Sequence, residues 1–414
     1  MVSRRRSKIH VDVISTTHQE GGMTVRKHGI IAAVLAAVCA VAIVAASSAS
    51  AAGKPIIIGY PIDKAGNMAP FDGPALAAAG IEISKINAKG GWKGRRLKII
   101  TCDTQSSNAA KSKACAADLI GRGAVIGMVT CDVEFAAPAT QEFLNKGMLT
   151  VAPCIGTDQM GPKRFGAKGK LAFSFGNVAQ DEGAAMAEWA YKQKGWRTAD
   201  LATNNLLIYF KQIVQAFKSR FTQLGGKING EESYTSFQND FGNAVSRLNG
   251  EKADVIVTST SFGELPGIVN GLRSLGNNTP ILNSWAGDGT YWTGDKPKVT
   301  NYYAVTYASI AGDDPNPAVN LLAKQVKAGT GGFVTGAAAI DGILAALNKA
   351  GTTNGAALAA AMEKFKKVPT ISGLVSFSKQ YHSVFGRQYR VIEIQDNVLK
   401  RVGLVTASSP ASIG

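Results

Sequence analysis

Beyond the first 53 residues, four cysteines are the side chains with the widest choice of chemistry: Cys102, Cys115, Cys131 and Cys154. None of them forms a C-x-x-C pair, which makes a zinc site an improbable use. In an exported chain an even number of cysteines favours disulfides, and four cysteines allow three pairings. Cys115 is expected in a helix and the other three at strand ends. This placement favours Cys102–Cys115 with Cys131–Cys154, and a Cys102–Cys131 bond is the main rival.

Residues that could act as a catalytic pair are scarce in the same part of the chain. It holds one histidine, His382. Ser/His or Cys/His catalysis is therefore nearly excluded unless that residue takes part. The phosphate-binding patterns G-x-G-x-x-G and G-x-x-x-x-G-K-[ST] and the nucleophile elbow G-x-S-x-G do not occur in the sequence. Asp313 and Asp314 lack the ligand spacing of a calcium loop and are typical of a turn before a helix. We predict a binding protein rather than an enzyme, with no metal and no cofactor.

The N-terminal segment has the features of a secretory leader. Residues 26–28 are basic, residues 30–46 form an apolar run, and residues 47–52 are small, as signal-peptide cleavage requires. This order predicts a signal peptide over residues 1–52. The chain that remains is expected to be exported and soluble, in the periplasm or at the exterior of the cell envelope.

Two other fates of this leader, a membrane anchor and a lipid anchor, are disfavoured. An apolar run of about 17 residues is marginal for a membrane anchor. Lipidation of Cys39 is disfavoured because Val38, which precedes it, is not a small residue. A start at Met23 would by itself give a conventional signal peptide, which leaves the translation of residues 1–22 open.

The charge and composition exclude several classes of protein. With 45% hydrophobic and 18% charged residues, the chain is neither disordered nor collagen-like. The whole chain has a formal net charge of +16. Residues 1–53 hold six Lys or Arg and two Asp or Glu residues, so the rest of the chain carries a net charge of +12. The lysines are scattered and no basic–aromatic stripe occurs, so we predict no nucleic-acid partner. A solvated basic surface, or attraction to anionic envelope material, accounts for the charge.

Strands and helices alternate along the chain, and the first unit sets the pattern. An apolar strand at 56–58 is followed by a Gly/Pro/Asn-rich loop at 59–74, a helix at 75–87 and a second strand at 97–101. Ligands bind at the carboxyl ends of the strands in such sheets, so the loop is expected to form one wall of a cleft. The alternation continues in two series that meet near Gly176, which predicts two similar α/β lobes.

One stretch of this first unit carries a family resemblance. The run at residues 87–99, NAKGGWKGRRLKI, resembles the N-A-K-G-G-I-K-G-x-x-L-x-I run of the leucine/isoleucine/valine-binding proteins. These are type I periplasmic binding proteins of branched-chain amino-acid ABC transporters. Weaker matches follow in the family's order at 125–127, Pro153, Tyr209, 216–218 and 272–276.

The resemblance implies an α/β fold of two Rossmann-like lobes with parallel sheets, joined by a three-crossover hinge, with the ligand in the interlobe cleft. On that template the first lobe comprises residues 54–176 plus 306–371. The second lobe comprises residues 177–305 plus 372–405. Residues 406–414 are small and polar and are expected to be a frayed tail.

The same resemblance implies a set of ligand contacts. Cys131 stands where the family has a hydroxyl residue after the third strand, with Asp132 next to it. Asp288 stands where the family has the glutamate that pairs with the ligand ammonium, a charge-assisted contact. Residues 153–157 align with the loop that completes the carboxylate site and leave Thr157 as its hydroxyl. The full predicted set is Phe71, Cys131, Asp132, Ile155, Thr157, Tyr209, Phe262 and Asp288.

Each of these residues also has a plainer structural interpretation. Thr157 would serve equally as a helix cap, the aromatic residues as core, and Asp288 as part of a glycine-flanked turn. A Cys131–Cys154 disulfide would occupy both carboxylate-binding loops, which disfavours a plain branched-chain amino acid as the ligand. Another amino acid, an amide, or an aromatic or aliphatic carboxylate is equally possible.

The resemblance implies that the protein captures a small ligand by hinge closure and delivers it, as a monomer, to the permease subunits of an ABC transporter. The alternative is an exported ligand sensor of the same fold that acts through a separate membrane partner. An envelope hydrolase is disfavoured because the sequence lacks a nucleophile–base pair.

Overall fold

The computed structural model describes residues 53–235, 242–295 and 297–413. The strands of this part are β1 Ile56–Ile62, β2 Leu97–Asp103, β3 Ile126–Met128, β4 Thr150–Ala152, β5 Ala172–Asn177, β6 Thr198–Asn204, β7 Lys227–Tyr234, β8 Val255–Ser259, β9 Ile281–Asn283, β10 Tyr302–Thr306, β11 Val368–Thr370, β12 Gly373–Val375, β13 Ser383–Val384, β14 Tyr389–Gln395 and β15 Val398–Val405. The helices are α1 Ala69–Ala88, α2 Ala109–Gly121, α3 Val133–Asn145, α4 Pro162–Phe165, α5 Ala179–Glu188, α6 Ile208–Gln223, α7 Gly242–Gly250, α8 Glu264–Ser274, α9 Pro317–Val326, α10 Val334–Ala350 and α11 Gly355–Glu363. The predicted signal peptide, the start at Met23 and the lipidation alternative at Cys39 lie outside the described residues.

Two separate sheets confirm the prediction of two α/β lobes. The first has the strand order β13-β5-β4-β3-β1-β2, and all its strands are parallel. The second has the order β15-β14-β10-β9-β8-β6-β7 and is parallel except at β14, which pairs antiparallel with β10 and β15. Strand β13 joins the first sheet although residues 372–405 were predicted to lie in the second lobe. In the described chain, the path passes from one sheet to the other after β5, after β10 and after β13.

Side-chain caps at helix N-termini fix where several of these helices begin. Asn108 accepts a hydrogen bond from the backbone N–H of Lys111 at the start of α2, and Asn354 does the same at α11. Asp132 caps α3 by accepting from two backbone N–H groups of its first turn. Asn and Asp are favoured at this position because they satisfy N–H groups that have no partner inside the helix.

The loop predicted at residues 59–74 is shorter than expected. Strand β1 continues to Ile62 and α1 already begins at Ala69, because Pro70 lies in the first helical turn, where a missing N–H costs nothing. Asp63 holds the short turn between them. Its carboxylate accepts hydrogen bonds from the backbone N–H of Gly66 at 2.8 Å and of Met68 at 3.2 Å. The helix therefore starts close to the end of the strand and carries Phe71 with it.

Helix α10 returns the chain to the first lobe. Gly336 packs against α1 so closely that a Cβ there would lie 1.9 Å from the carbonyl oxygen of Ala75. The segment Gly331–Ala350 is long and apolar enough to cross a membrane, but 78% of its apolar window is buried within the fold. Its hydrophobicity is that of a core helix.

The C-terminal tail was expected to fray, and for residues 406–413 this is wrong. The backbone N–H of Ala411 donates to the carbonyl oxygen of Gln180 at 2.9 Å, and Ala411 is 5% exposed. Arg220 of α6, itself buried, donates to the hydroxyls of Ser408 and Ser409 at 2.6 and 3.0 Å. Small residues fit beside α5 and α6, and a buried guanidinium needs the acceptors that the tail provides.

The cysteines pair as favoured, Cys102 with Cys115 and Cys131 with Cys154, so the Cys102–Cys131 rival is wrong. The Cα atoms of the two pairs are 5.4 and 4.7 Å apart. The second disulfide joins the loop after β3 to the loop after β4, both at the carboxyl edge of the first sheet.

Candidate functional site

A cavity lies where the carboxyl ends of strands from both sheets face each other. It contains about 350 Å³ of space not filled by protein atoms, counting space open to solvent. The residues around it all follow strand ends: Met68, Phe71, Cys131, Asp132, Ile155, Gly156 and Thr157 from the first sheet, and Leu207, Tyr209, Phe210, Ser261, Phe262, Trp285 and Ala286 from the second. This edge is where parallel α/β sheets bind ligands.

Aromatic rings meet across this cleft. Phe71 of α1 makes edge-to-face contacts with Phe262, Trp285 and Tyr291 of the second lobe, with ring centroids 6.5, 5.3 and 5.7 Å apart. Each such pair contributes roughly 0.5–1.5 kcal/mol beyond the burial of its area. Because a ring from one lobe is inserted among rings of the other, the lobes stand in a closed arrangement.

The backbone of Phe262 is strained. Its φ is +55°, in the left-handed region that a residue with a side chain adopts at a cost of roughly 1–2 kcal/mol. Strain of this kind is concentrated at binding and catalytic sites, where the surrounding structure holds it. Here it accompanies the placement of an aromatic ring on the cleft wall.

Hydrogen bonds between polar side chains also join the lobes. Thr157 donates to Oε1 of Gln212 at 2.6 Å, and Nε2 of Gln212 donates to Asp158 at 3.0 Å. Gln180 donates to the other carboxylate oxygen of Asp158 at 2.8 Å. Burial alone would raise the pKa of Asp158, but hydrogen bonds from Lys163, Gln212 and Gln180 outweigh it and lower the pKa. We call Thr157, Asp158, Gln180 and Gln212 the interlobe latch.

Two acidic side chains, Asp72 of α1 and Asp132 after β3, lie at the end of β3 next to the disulfide. Asp72 accepts hydrogen bonds from the Thr130 hydroxyl at 2.6 Å and from the backbone N–H of Cys131 at 3.0 Å. Burial raises the pKa of Asp72 to about 7 although these hydrogen bonds lower it. Asp132 accepts from the N–H groups of Glu134 and Phe135 at 2.9 and 3.2 Å. Burial, and then the nearby Glu134 carboxylate, raise the pKa of Asp132 well above its usual range.

A further carboxyl, Glu182, stands behind the cleft wall. Its Oε1 accepts from the Tyr209 hydroxyl at 3.0 Å and from the backbone N–H of Trp285 at 2.8 Å. Its Oε2 is buried and has no hydrogen-bond partner in the described part of the chain. Burial is the main cause that raises its pKa to about 8, and the charges of Asp288 and Asp181 add to it.

The structure brings seven of the eight predicted site residues to the cavity: Phe71, Cys131, Asp132, Ile155, Thr157, Tyr209 and Phe262. Asp288 does not line it. This residue is buried and accepts hydrogen bonds from the Thr306 hydroxyl and from the backbone N–H of Gly331, the latter at 2.8 Å. Burial raises the pKa of Asp288 to about 7. The ligand-binding role of all eight residues stays a prediction.

Sequence reasoning missed several residues of the site. Gly156 lines the cavity, and a side chain is excluded there because a Cβ would lie 2.4 Å from the Tyr209 ring. Trp285 belongs to a loop whose aromatic content was visible in the sequence, and Ser261 directly precedes the predicted Phe262. Glu182 gave no comparable signal, since a glutamate in the first turn of a helix is ordinary.

Two polar atoms that border the cavity have no partner among the described residues. They are the hydroxyl of Ser261 and the indole Nε1 of Trp285. Their residues are 1% and 3% exposed. Within the described residues no group of three or more His, Cys, Asp or Glu side chains could hold a metal ion. The site as built can therefore offer hydrogen bonds, aromatic surface and negative charge to a small organic molecule.

Comparison with known proteins agrees with this geometry. Residues 55–398 match the periplasmic binding protein family. The Leu/Ile/Val-binding protein homolog 3 of Brucella melitensis is 26% identical over 342 residues, which cover 80% of this chain and 89% of the relative.

Solved structures with similar folds hold chemically different ligands. The branched-chain amino-acid substrate-binding protein LivJ of Streptococcus pneumoniae, in complex with isoleucine, superposes with a TM-score of 0.72 at 18% identity, covering 85% of this chain and 99% of that one. A solute-binding protein of an ABC transporter from R. palustris, in complex with benzoate, has a TM-score of 0.67 at 17% identity and covers 87% and 98% of the two chains. At these identities the likeness shows the fold alone.

Proposed function

We propose that this chain, which belongs to the periplasmic binding protein family, is the extracytoplasmic substrate-binding component of an ABC transporter. It captures a small organic ligand between its lobes and presents the closed form to the permease subunits. The observation that carries the proposal is the cleft itself, which is lined by residues from the carboxyl ends of both sheets.

The geometry supports capture by closure. A ligand that contacts both walls binds the closed form better than the open form and so shifts the population toward closure. The aromatic contacts of Phe71 and the interlobe latch already link the two lobes in the closed arrangement. Because these contacts are few, a ligand that stabilises the closed form by a few kcal/mol can shift the equilibrium between the open and closed forms.

The relatives support a small organic ligand but leave its class open. The Brucella relative is named for leucine, isoleucine and valine, and the solved structures contain isoleucine in one case and benzoate in another. Amino acids, amides and organic acids are therefore the first compounds to screen against this chain. We propose that the chain acts as a monomer, without nucleic acid and without catalysis.

A thermal-shift screen of amino acids, amides, amines and aromatic acids, followed by small-angle X-ray scattering, tests the proposal. A true ligand should raise the melting temperature and lower the radius of gyration toward its value in the closed form. If no compound of these classes changes the melting temperature, the binding-protein proposal is wrong. Neighbouring genes for a permease and an ATPase would distinguish transport from sensing.

A further inference from the structure

Among the described residues that line the cavity, Asp132 is the one ionisable acid and none is Lys or Arg. Asp132 is 5% exposed, at the first turn of α3. Its two backbone hydrogen bonds both end on Oδ1. The backbone of the helix leaves Oδ2 free, and the Glu134 carboxyl lies within hydrogen-bonding reach of this side chain, so Asp132 and Glu134 form a pair of acidic groups beside the site.

The protein supplies no cation for this charge. In the described residues, neither Asp132 nor the nearby Glu134 and Glu182 forms an ion pair with Lys or Arg. Glu134 accepts a hydrogen bond from the backbone N–H of Ile208 at 3.2 Å, and Glu182 from Tyr209 and Trp285. A buried carboxylate without a positive partner is costly, and an incoming cation removes part of that cost.

Donors that could hold a ligand carboxylate at the β3 end are already used by the protein. The Thr130 hydroxyl and the Cys131 N–H donate to Asp72, and the first N–H groups of α3 donate to Asp132. The Thr157 hydroxyl on the opposite loop donates to Gln212. An anionic group entering here would meet the acidic side chains of Asp132 and Glu134 and find these donors occupied.

Independent of the charges, the cavity has polar atoms that await a partner. The Ser261 hydroxyl and Trp285 Nε1 are buried, border the cavity and have no hydrogen-bond partner in the described part of the chain. Buried polar groups are nearly always satisfied, so such atoms mark where a bound molecule makes contact. The Ser261 hydroxyl can accept a hydrogen bond from an ammonium group, whereas Trp285 Nε1–H only donates and can meet no more than the aromatic face of such a ligand. Much of the remaining wall is aromatic, including Phe71, Tyr209 and Phe262, and aromatic faces attract cations.

We infer that the cleft selects a protonated amine on an apolar or aromatic body, with the ammonium group at Asp132 and the body against the aromatic wall. This inference rests on the proposed function and names its ligand class. An amine is recognised at the place where the resemblance implied a ligand carboxylate. A molecule whose one charged group is a carboxylate is rejected by the same residues.

Two matched series of compounds test the inference by isothermal titration calorimetry on the mature chain. The aromatic series is 2-phenylethylamine, phenylalanine and 3-phenylpropanoate, and the aliphatic series is 3-methylbutylamine, leucine and 4-methylpentanoate. In at least one series the amine should bind, and the carboxylate of that series should bind more weakly by roughly tenfold or more, the size of one lost charge-assisted contact.

Asp132→Asn identifies the residue responsible. Asparagine keeps the size and the helix cap, so the melting temperature should be nearly unchanged. Affinity for the amine should fall roughly ten- to a hundredfold, because one hydrogen bond to a charged group is lost. Asp118→Asn removes the same charge from the exposed face of α2, where Asp118 pairs with Arg122, and should leave the affinity as it was.

The outcomes separate this inference from the proposed function. If a carboxylate, or the amino acid alone, binds while the matching amine does not, the amine inference is overturned and the binding-protein proposal stands. Amine binding that Asp132→Asn leaves intact also overturns it. If no compound of either series or of the wider screen binds, both fail. Should Asp132→Asn not fold, the comparison of amine with carboxylate on the unmodified chain still decides.

Discussion

Two groups of buried carboxyl side chains in this molecule differ in whether a basic side chain is paired with them. Outside the cleft, Asp314 receives two hydrogen bonds from the guanidinium of Arg390 at 2.8 and 2.9 Å, and Glu188 pairs with Arg220. At the cleft, Asp132 and Glu182 are buried as deeply but have no basic partner among the described residues. In these two ion pairs, outside the cleft, the sequence provides the cation. Asp132, which borders the cavity, has no such cation among the described residues, and the amine proposal rests on this difference.

The largest effect is expected where a compensated pair is broken. Asp314→Ala leaves Arg390, whose side chain is 7% exposed, buried without its carboxylate. We expect a loss of about 3–5 kcal/mol in the free energy of unfolding, measured by urea titration, with ligand affinity of the folded protein unchanged. Asp118→Ala, on the surface, should change it by less than about 0.5 kcal/mol. Equal losses of unfolding free energy in the two variants would show that the buried Asp314–Arg390 pair matters no more to stability than a surface pair.

The second prediction concerns an uncompensated carboxyl, Glu182. Burial raises its pKa to about 8 in the folded chain, whereas an unfolded glutamate titrates near pH 4.3. Between these values the folded state keeps a proton that the unfolded state has lost. The stability that this group contributes is therefore complete below about pH 4 and is lost as the pH rises through about 8, at up to about 1.4 kcal/mol per pH unit.

Glu182→Gln removes that titration while keeping the size of the side chain. From pH 6 to pH 8 the free energy of unfolding of the unmodified chain should fall by about 2 kcal/mol more than that of the variant. Urea titrations at the two pH values measure the difference. Identical pH dependence in the two proteins would show that Glu182 is ionised in the folded state.

A smaller effect is expected from the interlobe latch. Thr157→Val removes the hydrogen bond to Gln212 and should shift the equilibrium toward the open form by about 1 kcal/mol. The radius of gyration from small-angle X-ray scattering should rise. Thr222→Val, whose hydroxyl bonds to the backbone of its own helix, is the matched control. An unchanged radius in both variants would show that the latch does not hold the lobes together.

The smallest effect is expected at Ser261. Because its hydroxyl has no partner among the described residues, Ser261→Ala should leave the free energy of unfolding within about 0.5 kcal/mol or raise it slightly. A loss of more than about 1 kcal/mol in urea titration would reveal a partner in the folded protein. The same variant should weaken binding of an amine ligand, which isothermal titration calorimetry measures.

The fold was largely predictable because it follows from local patterns. Alternating strands and helices, and the run at residues 87–99, indicated two α/β lobes with parallel sheets. The placement of the cysteines favoured the disulfide pairs that the structure contains. The errors lie at chain segments whose partners are distant in sequence. The tail at 406–413 is ordered by Arg220 and Gln180, and α1 begins earlier than its prolines suggested because Asp63 anchors the preceding turn.

The site was predictable in its location and less so in its electrostatics. Seven of the eight residues line the cavity because alignment to strand ends is a local property. Asp288 lies apart from the cavity because Thr306 and Gly331, from distant parts of the chain, hold its carboxylate. Asp132 has no basic partner among the described residues, and Glu182 lies behind the cleft wall. Both facts depend on which side chains meet in the folded chain, and residue spacing in the sequence does not predict such meetings.

A crystal structure of the complex with 2-phenylethylamine most directly tests the claim that the cleft binds an ammonium group at Asp132. The ammonium nitrogen should lie within about 3 Å of the Asp132 carboxylate, with the ring against Phe71 and Phe262 and the lobes closed. An amine that is bound in the cleft but directed away from Asp132, or a carboxylate ligand held at that position instead, would contradict it.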